Sequence, residues 1–297
     1  MLKHADRPTF DELRDAYVFI GPLVAFVAAF MLLPLVGTVV TSLYRDVTYL
    51  PKHFIGLGNY RSFLADPQFW QAAKFTLGFT VISVAIELGL GMGLALVLNE
   101  GLRLRGLLRV AVLIPWAIPV AVSARAWELI YNYDYGLFNY VALKLGLVSA
   151  PINWLGSPEG AFSAIVLSDV WKSTPFVSII LLAGLATVPE DLHKQAAIDG
   201  ATSVQRFFRI TLPLLRPVLA VALIFRTIDA VRVFDVVYVL TRGGPGGATT
   251  PLSLCAFNYF LSGDFGYGSA VSIVVLVIAS SFAVLYMRFG RFTRVLP

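Results

Sequence analysis

Charged and polar side chains recur at helical spacing inside segments that are otherwise apolar. Asp169, Lys172, Ser173 and Phe176 follow one another three or four residues apart, and Arg226 and Asp229 do the same further on. On a helix that spacing puts each set on one face. Such a face can hold a hydroxyl-rich ligand: carboxylates accept from hydroxyls, lysine and arginine donate to them, and an aromatic ring covers an apolar ring face. The competing reading is mutual neutralisation, Arg226 with Asp229 at i, i+3, or both with Arg232 and Asp235. A third is a proton relay in a secondary transporter or channel, with Glu87, Glu128, Asp169, Asp229 and Asp235 as its carboxylates. Nucleophilic and metal chemistry have no comparable set. His4, His53 and His193 are far apart, and Cys255 is the only cysteine, so neither a catalytic nor a metal site is expected. A phosphate-binding G-x-x-x-x-G-K-[ST] loop is absent, because the dipeptide Gly-Lys does not occur in the chain.

The segments that position these residues are built for lipid. Of 297 residues 58% are hydrophobic and 14% charged, with a mean hydropathy of +0.77. Soluble domains carry about 25% charged residues to cover a wet surface. The net charge of +5 does not indicate nucleic acid, because the cations sort by loop. A hydrocarbon core of about 30 Å takes about 20 apolar helical residues. Six segments qualify, at about 17–43, 75–98, 110–131, 161–188, 218–241 and 267–287. Helices are expected because open strands cannot satisfy their backbone in lipid. The second of them, with Gly89, Gly91, Gly93 and Ala95, offers small residues for close helix approach, including a Gly89/Gly93 pair.

One set of loops holds Lys3, Arg7, Arg14, Arg103, Arg105, Arg109, Lys194, Arg206, Arg209, Arg216, Arg288, Arg291 and Arg294. The other holds Arg45, Lys52, Arg61, Lys144 and Arg242, with Lys74 at a boundary. Lysine and arginine collect on the cytoplasmic side, so both termini are expected there. The tail 1–16 either lies along the membrane as a short helix or frays, and 291–297 forms a second tail. The first span is too long and too mixed in its flanks for a cleaved signal peptide.

The cytoplasmic segment 189–213 is more structured than a connector requires. Pro189, Glu190 and Asp191 suit a helix start, and Gly200 a helix end. Ser203 can cap a second helix with Phe207, Phe208 and Ile210 on one face, and Pro213 is expected to open the next span. Two short helices with Ala196, Ala197 and Ala201 between them suit a knob for a partner's groove, or an amphipathic loop on the membrane surface.

The run Ala197-Ile-Asp-Gly-Ala201 followed by Phe208-Arg-Ile-Thr-Leu-Pro213 resembles the "EAA" cytoplasmic motif of ABC importer permeases. Phe54-Ile-Gly-Leu-Gly-Asn-Tyr60, Ile114-Pro-Trp116, Trp171-Lys-Ser-Thr-Pro-Phe176, Leu240-Thr-Arg-Gly-Gly-Pro245 and Asp264-Phe-Gly-Tyr-Gly-Ser-Ala270 are similar to the carbohydrate branch, in particular the first permease subunit of maltose and trehalose importers. The resemblance covers Phe54 to the C-terminus. It implies an all-α integral membrane protein of six transmembrane helices, of the type I ABC importer permease kind, in the plasma (inner) membrane. The implied partners are a second permease, two copies of an ATPase that carries the ATP and Mg, and an extracytoplasmic sugar-binding protein; the chain itself holds no cofactor. ATPase coupling would run through Lys194, Ala197, Asp199, Gly200, Ala201, Leu212 and Pro213, and the outer loops 56–70 and 243–251 would meet the binding protein. Lys194 stands where the motif's glutamate belongs, with Gln195 in place of its first alanine. Asp169, Lys172, Ser173, Phe176, Arg226 and Asp229 fall where such permeases present residues to sugar.

Overall fold

A computed structural model describes residues 10–100 and 105–290, so residues 1–9 of the expected N-terminal tail, the C-terminal tail 291–297 and Arg103 lie outside the described residues. Helix α1 (Phe10–Val27), a π-helical turn (Ala28–Leu32) and α2 (Leu33–Ser42) form the first long apolar helix, of which 17–42 is apolar enough to cross a membrane. Before Ser42 it carries no buried residue among those described, and α2 packs on the last helix. A two-residue hairpin, β1 (Tyr44–Arg45) with β2 (His53–Phe54), and α3 (Gly58–Ala65) lead to α4 (Pro67–Asn99). That helix starts before the expected residue 75 because Asp66 caps it, accepting from Gln68 N at 2.8 Å, with Pro67 in its first turn.

The expected third span is not one helix. Helix α5 (Arg105–Ala117) and α6 (Val120–Ile130) are bent 88° to each other. The cause is local: Pro115 and Pro119 each lack an N–H, and Pro119 drives Ile118 out of the helical region. Helix α7 (Leu137–Lys144) and its loop are organised by buried Asn139, which bonds Tyr133 O, Ile152 O, Ile152 N and Trp154 Nε1 at 2.9–3.1 Å. Helix α8 (Pro158–Leu185), capped by Ser157, runs through the centre against α4. The close approach uses Gly91, where a Cβ would stand 2.6 Å from Val177 Cγ1, and fully buried Ala95. A Cβ at Gly89 or Gly93 would meet nothing within 4 Å, so the expected small-residue pair is not what joins α4 to α8.

Helices α9 (Glu190–Ile198) and α10 (Ser203–Arg206) follow, then a π turn (Phe207–Thr211), α11 (Leu212–Leu214) and α12 (Arg216–Val231). Pro213 therefore does not open the span: the helical path already begins at Ser203. It breaks again at Arg232–Phe234 before α13 (Asp235–Leu240). Helix α14 (Leu252–Leu261) is short, and α15 (Phe265–Gly290) is the last long apolar helix. Among the described residues, five helices are long and apolar enough to cross a membrane, or six counting the bent pair. At the start of α4, Asp66 also accepts from the hydroxyls of Tyr259 (3.1 Å) and Tyr267, tying α4 to α14 and α15.

Candidate functional site

Three core helices meet at Arg226. Its Nε donates to Glu87 Oε2 on α4 at 2.5 Å, and its Nη2 to Glu87 Oε1 at 2.8 Å and to Asp169 Oδ2 on α8 at 3.0 Å. The Glu87 side chain is 0% exposed and that of Arg226 6%. This two-pronged pairing satisfies a guanidinium that neither lipid nor an apolar core can solvate. Arg226 and Asp229 are only 3.7 Å apart, whereas Asp229 Oδ1 accepts from Arg232 Nη2 at 2.7 Å. Neutralisation of Arg226 chiefly by its i+3 neighbour is thus corrected. Its main partner is 139 residues away, beyond the reach of any local spacing.

Beside this cluster lies a cavity of about 710 Å³. Asp169, Lys172, Ser173, Arg226 and Asp229 all border it, so five of the six residues expected to face a ligand come together. Phe176 does not border it. Its ring stacks on Trp116 with centroids 5.6 Å apart and meets Phe225 edge-on, and Trp116 and Phe234 are the aromatic residues that border the cavity. Ser173 Oγ donates to Asp169 Oδ1 at 3.5 Å. The ammonium of Lys172 points at the bend of the third span: it donates to Pro115 O at 3.4 Å, to Trp116 O at 3.1 Å, and to Ile118 O. Lysine at carbonyls freed by a helix end is favourable, and these contacts occupy the three donors an ammonium has.

Sequence reasoning named Glu87 only as a relay carboxylate, not as the partner of Arg226, and placed neither Trp116 nor Phe234 at the site. Glu87 is the only charge in its span, and a lone buried carboxylate needs a cation. The Pro115/Pro119 pair signalled the bend that brings Trp116 to the wall. Glu128, another relay carboxylate, pairs with Arg125 on α6.

At the other end of the molecule α9 ends in a Schellman motif: Ala201 N donates to Ala196 O at 2.9 Å and Gly200 N to Ala197 O at 3.1 Å. Gly200 sits at φ +80°, which glycine adopts without strain. Pro189 precedes α9 as its cap, with Glu190 and Asp191 in the first turn. The cap of α10 is Thr202, not Ser203: Gln205 N donates to Thr202 Oγ1 at 3.3 Å and Thr202 N to Gln205 Oε1 at 2.8 Å, a reciprocal capping box. Ser203 Oγ instead accepts from Arg206 Nη2 at 3.1 Å. Lys194 lies 3.3 Å from Glu190 and 3.7 Å from Asp191, an exposed pairing worth under about 1 kcal/mol. Asp199, Gly200 and Ala201 line a recess of about 490 Å³ between the two helices, and Ile198 beside it is 86% exposed. Ala197 lies on α9, while half-buried Leu212 and Pro213 lie on α11.

Residues 87–295 match the family model described as binding-protein-dependent transport system inner membrane component. The chain is 54% identical over 286 residues to the trehalose/maltose transport system permease protein MalF of Thermococcus litoralis, covering 96% of each. It is 38% identical over 279 residues to the sulfoquinovosyl glycerol transport system permease protein SmoG of Agrobacterium fabrum, covering 93% of this chain and 90% of that one. Among solved structures, a chain of a bacterial ABC transporter involved in import of the acidic polysaccharide alginate superposes with a TM-score of 0.82 at 25% identity, covering 96% of this chain and 98% of that one. The same TM-score holds for that transporter in complex with an alginate pentasaccharide-bound periplasmic protein. The chain belongs to the family of binding-protein-dependent transport system inner membrane components, the permease subunits of ABC importers.

Proposed function

We propose that this chain forms half of the membrane pathway of an ATP-driven importer for a di- or oligosaccharide of the maltose or trehalose type. The observation that carries the reading is 54% identity across 96% of a trehalose/maltose permease. The central cavity has the chemistry a sugar requires. Asp169, Ser173 and Asp229 present oxygens to it and Trp116 an aromatic face, while Arg226 fixes the carboxylates from behind. Phe176 supports Trp116, and Lys172 holds the bend from which Trp116 projects.

The rest of the assembly follows from the docking segment. A second permease completes the pathway, an extracytoplasmic binding protein delivers sugar, and two ATPase copies, carrying ATP and Mg, dock on α9 and its recess around Asp199, Gly200 and Ala201. Capping at both ends makes that segment stiff enough to transmit the ATPase stroke to α12. The sorting of lysine and arginine supports cytoplasmic termini. The test is uptake of labelled maltose and trehalose into proteoliposomes that hold the full complex, with loaded binding protein outside and ATP inside. ATP-dependent accumulation of at least one of them is expected. Accumulation driven by a proton gradient without ATP would overturn the reading in favour of a proton-coupled carrier.

A further inference from the structure

Strands β1 and β2 are joined by residues 46–52, and the tip of that loop is strained. Leu50 N donates to Val47 O at 3.0 Å, and Tyr49, third residue of this turn, sits at φ +65°. That position calls for glycine, because a β-carbon there crowds the following carbonyl oxygen. Among the described residues, Tyr49 and Arg242 are the two non-glycine residues with positive φ. Tyr49 is also fully exposed (101%), so no contact within the chain offsets the strain, and Leu50 and Pro51 beside it are exposed as well.

The turn is nevertheless braced. Thr48 N and Thr48 Oγ1 both donate to Gly263 O, at 2.8 and 3.2 Å, and Val47 bridges to Asp264. Glycine at 263 permits this approach, since a Cβ there would stand 2.4 Å from Thr48 Oγ1. At the base of the loop Asp46 O accepts from Phe265 N and Gly266 N at 2.9 and 3.1 Å, and its carboxylate accepts from Lys52 Nζ at 2.7 Å. Asn59 Nδ2 donates to Ser42 O and Tyr44 O at 2.8 and 2.9 Å, which ties the strand to α3. The loop is thereby fixed to the turn between α14 and α15, beside the end of α4 where Tyr259 and Tyr267 reach Asp66. With cytoplasmic termini, as proposed above, that end is extracytoplasmic.

We propose that Tyr49 is the anchor by which this permease grips its extracytoplasmic sugar-binding protein, the ring entering an apolar pocket of that protein. This rests on the importer reading above, and it adds to the loops 56–70 and 243–251 a contact that lies in neither. Tyrosine is among the side chains that dominate protein interfaces when seated in such a pocket. A turn braced before contact loses little freedom on binding. Strain that no internal contact repays is retained where a function fixes it. The lipid headgroup layer also takes tyrosine, but a fluid layer accepts the ring from a relaxed turn and sets no direction for it, so it leaves the strain without a cause. A second permease meets the sides of the spans, whereas this tip stands at their outer ends.

The test uses the complete complex in lipid nanodiscs, titrated with the importer's own binding protein loaded with maltose or trehalose, and reads the stimulated ATPase activity. Tyr49→Gly relaxes the turn and removes the ring; it is expected to raise the half-saturating concentration about tenfold or more while the maximal stimulated rate is kept. Tyr49→Phe, which keeps the ring, is expected to stay close to wild type. Tyr135 serves as the control, a tyrosine 68% exposed on the segment between the third and fourth spans and without positive φ: Tyr135→Ala is expected to leave half-saturation where it is. The midpoint of unfolding by SDS is expected not to fall in Tyr49→Gly, since glycine suits the turn; a lower midpoint would give the ring to the fold and overturn the anchor. An unmoved half-saturation in Tyr49→Gly would overturn it too, as would an equal shift in Tyr135→Ala. Loss of the second permease on co-purification of Tyr49→Gly would assign the tip to that subunit instead. Quenching of a Tyr49→Trp variant by brominated phospholipid beyond that of wild type, with loaded binding protein present, would assign it to the membrane. If loaded binding protein does not stimulate the wild-type complex, the importer reading fails, and the anchor with it.

Discussion

Replacing Arg226 with leucine removes the cation shared by Glu87, Asp169 and, at longer range, Asp229. Glu87 is then a carboxylate with no exposed side-chain surface and no partner, while Asp169, 16% exposed at the cavity edge, can turn to water. Breaking a buried ion pair on one side costs about 3–5 kcal/mol. The lower end applies here, because a chain unfolded within lipid also finds partners for its polar groups. A loss of about 3 kcal/mol is more than a hundredfold in the folding equilibrium. Removing both charges, as in Glu87→Leu with Arg226→Leu, is expected to restore most of it, since apolar replacements of buried pairs are often neutral. Arg232→Leu is the internal control: its pair with Asp229 is 67% and 43% exposed, and such pairs contribute under about 1 kcal/mol. The assay is reversible unfolding in mixed micelles by added SDS, followed by tryptophan fluorescence. If Arg226→Leu costs no more than Arg232→Leu, or if the double variant is as unstable as the single one, the three-helix tie is not what the geometry indicates.

Asp229→Asn is expected to reduce sugar uptake while the complex still assembles, because Arg226 keeps Glu87 and Asp169; failed assembly in a pull-down would show Asp229 to be structural. Gly200→Leu forces a β-carbon residue to φ +80°, a strain of about 1–2 kcal/mol, and is expected to uncouple transport from ATP hydrolysis with normal membrane insertion; wild-type uptake would refute coupling through this turn. The chain purified alone is expected to show no ATP turnover, and adding its ATPase subunit should supply it, as a phosphate-release assay would record. Desolvation pushes the Asp66 carboxyl up, but hydrogen bonds from Tyr267, Gln68 N and Tyr259 together outweigh it and hold it below the usual carboxylate range. A carboxyl lowered by folding stabilises above its unfolded value and loses that contribution as pH falls through the folded one. Acid unfolding monitored below about pH 5 should therefore steepen in wild type and flatten in Tyr267→Phe, and identical profiles would count against the tie.

The long apolar helices were legible because hydropathy needs no partner: 161–188 anticipates α8 and 267–287 anticipates α15 to within three residues. The segment 189–213 was legible as short helices because its signals are local, with Gly200 ending α9 where glycine alone is comfortable. Its details were not, since Thr202 and Ser203 are both good caps and only the reach of Gln205 decides between them. The third span misled because its hydropathy stays high through Pro115 and Pro119, although proline spacing rather than hydropathy governs a bend. At the cavity, periodicity brought Asp169, Lys172 and Ser173 to one face, as helix geometry requires. It gave no access to Glu87, because a contact across three helices leaves no trace in local spacing.

The bend of the third span has a consequence for water. Helix α5 has 13 residues and α6 has 11, about 20 Å and 17 Å long, so neither alone crosses a hydrocarbon layer of about 30 Å. The joint between them then lies within the depth of the bilayer, where open backbone is tolerated only against protein or a wet cavity. Lys172 covers three of the freed carbonyls from the cavity side. A polar lining at mid-membrane is thus a condition of folding as well as of transport: if the pathway dried completely during the cycle, the Lys172 ammonium would still satisfy three carbonyls of the joint.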